Sequence, residues 1–171
     1  IKATDTGKDI YSVPKNVSYA YRYGPSVITN ADGSIDAWFA GLGGCDEWDW
    51  IIYRHSPDGG ETWSEPKYNS TLPAPACNGD IVAYTHNGKN LLLHSLPASR
   101  TTRENVTIDV SEDNGETWVP KRCIYKGYSA YSSLQVLDDG TIGIIVEEGK
   151  WDGNLPGEDG FNLGYYHFNL N

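Results

Sequence analysis

An eight-residue pattern that occurs twice constrains this chain more than any other feature. Ser56-Pro57-Asp58-Gly59-Gly60-Glu61-Thr62-Trp63 is matched, 55 residues on, by Ser111-Glu112-Asp113-Asn114-Gly115-Glu116-Thr117-Trp118. Each copy has the composition of a tight hairpin turn: the Asp carboxylate accepts nearby backbone N–H groups, and the Gly takes a positive φ where a Cβ would clash. The Trp falls on the strand that follows, covering the turn from its apolar side with an indole N–H available to a carbonyl.

A second series of turns keeps the same period. Asp32-Gly33, Asn87-Gly88 and Asp139-Gly140 each sit between two apolar, β-branched runs, which is the signature of a strand, an Asx-Gly turn and a returning strand. One repeat therefore holds two hairpins and four antiparallel strands, the composition of a propeller blade. The chain is all-β in this reading, with about three blades. The first spans about 23–68, with strands at Pro25–Asn30, Ile35–Ala40, Trp50–His55 and Thr62–Tyr68. The second spans about 79–126, with strands at Asp80–Thr85, Leu91–Ser95, Val106–Val110 and Trp118–Tyr125. The third, about 130–168, has only Ala130–Leu137, Thr141–Val146 and Phe161–Phe168, so Lys8–Ser18 is expected to supply its fourth strand and cover the open edge. Closed propellers use roughly four to eight blades. The 171 residues are therefore read as a single but partial propeller domain, or one that assembles with itself to complete the ring.

Composition narrows the partners. A net charge of −10 excludes nucleic acid and anionic membrane surfaces as general partners, while leaving room for a small anion held by local arginines. No apolar run approaches the roughly 18–20 residues of a membrane span. The chain begins at Ile1 and contains no Met, which reads as processing or excision from something longer. Any secretory signal would then already be gone, with a secreted or periplasmic location in keeping. Cys45, Cys77 and Cys123 lack metal-ligand spacing, so no metal or other cofactor is expected and buried free thiols are the simplest state. Three stretches, Gly41–Asp49, Leu96–Arg103 and Glu148–Gly160, are longer than hairpin turns. All three join the second strand of a blade to the third, so they share one face and form a candidate binding rim.

With both Asp-rich turns, the long loops and Ala130-Tyr131-Ser132-Ser133-Leu134 in view, the sequence resembles the sialidase superfamily of six-bladed propellers with Asp-box (BNR) repeats. Residues about 20–65 resemble the first blade of that family and residues about 77–171 its last two. The resemblance implies an exo-acting glycoside hydrolase that takes a sialoglycan or another carboxylated sugar. Arg22 resembles the first arginine of the substrate-binding triad and Arg103 the third, and a guanidinium fork suits a carboxylate because it is bidentate and keeps its charge. The second arginine is not found: Arg54 sits in a strand leading into an Asp-rich turn, Arg122 lies on an outer strand, and Arg100 is the only loop candidate left.

Tyr131 matches the nucleophile, consistent with the use of tyrosine by sialidases, since a neutral phenol is not repelled by an anionic sugar. A phenol with a pKa of about 10 needs a carboxylate base to lose its proton, and no counterpart of the family's glutamate is identifiable here. Asp46 resembles the general acid/base aspartate, with Glu47 and Asp49 as rivals in the same loop. Glu147 resembles the glutamate that orients the first arginine, and Glu148 points to the opposite face of the strand. Asp58 and Asp113 are structural in this reading. Two functions follow: a sialidase-type hydrolase using these residues, or a catalytically incomplete carbohydrate-binding or structural fragment that keeps the rim without the base.

Overall fold

The computed structural model describes residues 20–22, 26–43, 51–69, 71–73, 75, 77–149 and 160–170. Among the described residues twelve strands are formed: β1 Ala20–Arg22, β2 Ser26–Thr29, β3 Ile35–Gly43, β4 Ile51–Ser56, β5 Lys67–Asn69, β6 Asp80–His86, β7 Lys89–Pro97, β8 Val106–Ser111, β9 Val119–Cys123, β10 Ser129–Val136, β11 Ile142–Glu148 and β12 Asn162–Phe168. They make three antiparallel sheets. In the first, β1 and β2 both pair with β3, which continues to β4 and β5; the second runs β6-β7-β8-β9 and the third β10-β11-β12.

The expected hairpins form at the expected turns. Asn87 and Gly88 both have positive φ, 50° and 76°, the two-residue turn whose twist suits a hairpin. Differences concentrate in the outermost strands, where β5 and β9 are shorter than the expected 62–68 and 118–125, and the turn Trp precedes the strand in both repeats. The turn itself explains this. Its hydrogen bonds engage the backbone as far as Thr62 and Thr117 and hold Trp63 and Trp118 back over the loop, so pairing with the third strand begins later. The third sheet has three strands among the described residues; the expected closing strand Lys8–Ser18 lies outside them.

The sheets stack face to face with the second in the middle. Its side toward the third sheet carries Tyr84, Leu91, Leu93, Val106 and Ile108, which meet Leu134, Ile142, Ile144, Val146 and Phe168. Its other side carries Ile81, Leu96 and Trp118, which meet Trp38 and Ile51 of the first sheet together with Leu72 and Cys77 from the link. The period-two alternation of each strand divides its residues between these faces. Sheet three turns Ile145, Leu163 and Tyr165 outward on its far side, at 48%, 74% and 62% exposure. Among the described residues, no helix is long and apolar enough to cross a membrane.

Candidate functional site

The Asp-rich turns are built alike. Asp58 Oδ1 accepts from Thr62 N at 2.8 Å and from Ser56 Oγ at 2.9 Å, and its other oxygen accepts from Thr62 Oγ1. Asp113 repeats the set with Thr117 and Ser111. Each indole N–H donates to the turn glycine's carbonyl, Trp63 to Gly60 at 3.1 Å and Trp118 to Gly115 at 3.0 Å. The Thr hydroxyl, followed by the Thr N–H, holds both carboxyls down to about 2, since hydrogen bonds to the ionised form favour it. Arg54, nearly buried, donates from Nε to Ser64 O at 2.8 Å, and Arg122 lies 5.2 Å over the Phe168 ring. Arg54 therefore anchors the exit of a turn, and Arg122 covers the edge of a sheet.

Strand direction separates these turns from the long links. In an antiparallel sheet the connections between strands one and two and between three and four leave from one edge, and that between two and three from the opposite edge. Arg103 belongs to the second kind, in a link held by several local bonds. Ser99 Oγ accepts from the N–H groups of Thr101 and Thr102, Ala98 N donates to Asn105 O at 3.1 Å, and Asn105 takes φ 60° while its side chain accepts from Gly127 N. Arg103 O in turn accepts from Ser129 N at 2.9 Å, which ties the link to the start of β10.

Two residues further on, the Tyr131 ring lies under the Arg103 guanidinium, with Cζ 5.4 Å from its centroid, and Tyr131 N donates to Glu147 Oε2 at 3.3 Å. The structure thus brings Arg103, Tyr131 and Glu147 together. Glu148 faces away and accepts from Tyr166 Oη, a bond that, ahead of burial, pushes the Tyr166 phenol up to about 12. Arg22 is placed by its backbone in β1, paired with Gly41 at the end of β3 that leads into the first long loop. Asp46, Glu47 and Asp49 lie outside the described residues.

Several neighbours of this group were not singled out from the sequence. Cys77 is fully buried in the apolar cluster against which Tyr131 packs. Burial pushes its thiol up to about 12, with Glu147 adding to the rise and Arg103 opposing it, so both charges act on the same spot. Cys77 and Cys123 are free thiols, but Cys123 is exposed rather than buried because the edge strand β9 turns it to solvent. Ser132, next to Tyr131 in sequence, shares a hydroxyl contact of 2.9 Å with Ser95, and Asp80, paired with Ser95 across β6 and β7, accepts from Leu134 N at 2.8 Å. Nothing in composition marks a serine or aspartate as facing another sheet.

A cavity of about 630 Å³ lies elsewhere, lined by His86, Lys89, Leu91, Val110, Lys121 and Leu170 among others. It shares no residue with the Arg103–Tyr131–Glu147 group, whose convergent charges make it the better candidate for chemistry. Among the described residues no cluster of His, Cys, Asp and Glu is arranged to hold a metal ion.

Comparison with known proteins gives the family. A family profile described as BNR repeat-like domain matches residues 11–144. The sialidase of Micromonospora viridifaciens is 34% identical over 100 residues, covering 55% of this chain and 16% of that protein. The anhydrosialidase of Macrobdella decora is 26% identical over 145 residues, covering 75% and 18%. Among solved structures, the intramolecular trans-sialidase of Ruminococcus gnavus in complex with oseltamivir carboxylate superposes with a TM-score of 0.63 at 25% identity, covering 91% of this chain and 33% of that one. The chain thus spans less than a fifth of these curated relatives and a third of that structure.

Proposed function

This chain belongs to the BNR repeat-like domain family, within the sialidase superfamily of β-propellers, and from that premise we propose that its long-loop face is a site for sialic acid or a related carboxylated sugar. The observation that carries the reading is the Arg103 guanidinium set over the Tyr131 ring, with Glu147 holding the Tyr131 backbone. Arg103, joined by Arg22 from β1, would take the sugar carboxylate in charge-assisted hydrogen bonds. Tyr131 would face the anomeric carbon of such a sugar.

In the hydrolytic form of this proposal the Tyr131 oxygen bonds to the anomeric carbon as the exocyclic C–O bond breaks. Asp46 gives its proton to the leaving oxygen, the phenol proton passes to a carboxylate, and water then releases the sugar. The step that limits this chain is the second proton transfer. The sequence offers no identifiable counterpart of the family's glutamate base, which favours the alternative of a catalytically incomplete carbohydrate-binding site. We therefore expect binding to exceed turnover. Titration with sialic acid should show weak binding that Arg103→Ala reduces roughly 10- to 100-fold, the worth of one or two charge-assisted contacts. An aryl sialoside should be cleaved very slowly or not at all. Equal binding by the parent and Arg103→Ala would overturn the site. Robust turnover abolished by Tyr131→Phe would establish the hydrolase reading and point to Glu47 or Asp49 as the base.

A further inference from the structure

Resting on that reading of the site, we infer that Asp80 is a positioning residue: its one carboxylate sets the spacing between the arginine-bearing and tyrosine-bearing strands. It opens β6, the first strand of the middle sheet and one of its two edges. Gly79 brings it there, since the backbone passes so close to β7 that a Cβ on Gly79 would stand 2.2 Å from Ser95 O. Asp80 Oδ1 accepts from Ser26 Oγ at 3.1 Å, in the first sheet, and from Ile81 N at 2.9 Å in its own. Its Oδ2 accepts from Leu134 N at 2.8 Å and Ser133 Oγ at 3.1 Å, in the third. Donors from all three sheets therefore converge on one carboxylate.

Each of those sheets carries one part of the site. Ser26 follows Arg22 by four residues, and β1 and β2 pair along the same β3. Leu134 follows Tyr131 by three residues, and between them Ser132 is tied to the middle sheet by Ser95 Oγ at 2.9 Å and to the link before it by its N–H to Asn78 O at 3.3 Å. The middle sheet leads through β7 to Arg103. Apolar packing between sheets is non-directional, so it resists separation more than sliding. Hydrogen bonds to a carboxylate are directional and strong, and they fix the offset that packing leaves soft. Displacing β10 by an ångström would move Tyr131 from under Arg103, a misplacement of the size that reduces function severely.

Asp80→Asn is the sharp variant, because it keeps the volume but turns an NH₂ toward N–H and O–H donors. It should speed amide exchange at Leu134 by roughly tenfold or more, one charge-assisted hydrogen bond's worth, while Thr107 in β8 keeps its protection. The Tyr131 ring resonances should shift as Arg103 leaves the ring face, and sialic acid should bind about tenfold more weakly. Leu93→Ala, chosen to destabilise the neighbouring packing without touching Asp80, should leave both the ring resonances and the affinity per folded molecule unchanged. Unchanged Leu134 exchange in Asp80→Asn, or equal affinity losses in the two variants, would overturn the positioning role. If the parent chain binds no sialic acid, the reading of the site falls by itself. The Tyr131 resonances then decide the positioning role, and their constancy in Asp80→Asn would sink it.

Discussion

The two inter-sheet junctions of this molecule are packed on different principles. Between sheets two and three, Leu93, Val106, Ile108, Ile142, Ile144 and Val146 are all but fully buried and meet one another directly. Tyr84, the polar member, sends its hydroxyl to Gly140 O at 2.9 Å. Between sheets one and two the burial is as deep, but it includes His94 and Asp109, at 2% and 4% exposure, with Nδ1 and Oδ2 3.6 Å apart. That is beyond a good hydrogen bond. Among the described residues Trp38 Nε1, Asn78 Oδ1 and His94 Nδ1 make no hydrogen bond, and all three border this junction or the link that leads into it. A buried polar group left without a partner costs about 1–3 kcal/mol. The difference teaches that apolar strand patterning is enough to join neighbouring sheets, whereas a junction with polar groups in it needs matched partners.

The largest expected effect is on the apolar junction. Ile108→Ala removes a fully buried side chain from a close-packed seam and should destabilise the protein by about 2–5 kcal/mol, read from the urea midpoint at constant slope. A loss under 1 kcal/mol would mean that this seam is no better packed than the other, and the comparison would break.

A smaller and more discriminating effect is expected at the polar junction. Asp109→Ala alone leaves His94 buried without its neighbouring carboxylate and should cost about 1–3 kcal/mol, whereas His94→Leu with Asp109→Val should cost less or stabilise, because the desolvated pair is replaced by packing. A double variant that loses as much as the sum of its two singles would show that the two side chains do not act as a pair, and this part of the comparison would break.

The smallest effect is set by pH. Both turn aspartates have folded pKa values lowered to about 2 from an ordinary value near 3.8. A lowered carboxylate pKa stabilises the fold fully above the unfolded value, and that contribution is lost as pH falls through the folded one. Stability should therefore decline between about pH 4 and pH 2. The two turns differ in surroundings: Asn69 Nδ2 reaches across from sheet one to Gly115 O and Glu116 O at 3.4 and 3.2 Å, so the Asp113 turn is also part of the polar junction. Asp113→Asn should flatten the acid branch, leave the affinity for sialic acid unchanged, and loosen protection at Asn69 and Leu72. Asp58→Asn should flatten the same branch without the last effect. Identical exchange in the two variants would remove the turn from the junction.

What could be read directly were features settled within a few residues. The repeat of Ser-x-Asp-x-Gly-x-Thr-Trp, the Asx-Gly hairpins and the alternating apolar runs located eleven of the twelve strands, since turn geometry and pleat are local properties of the backbone. β1, a three-residue strand bearing Arg22, had no such signal because it pairs only with the far end of β3. Tyr131, Glu147 and Arg103 were legible through the motifs around them, and their meeting required three separate segments to converge. The sequence by itself determined the turns, the strand periodicity and so the all-β class. Only the tertiary structure decided that Arg54 serves a turn, that Cys77 is buried in the cluster against which Tyr131 packs, that His94 is buried beside Asp109 and that Asp80 joins three sheets. Those outcomes depend on which strand faces which across a junction, and no residue carries that information in its immediate neighbours.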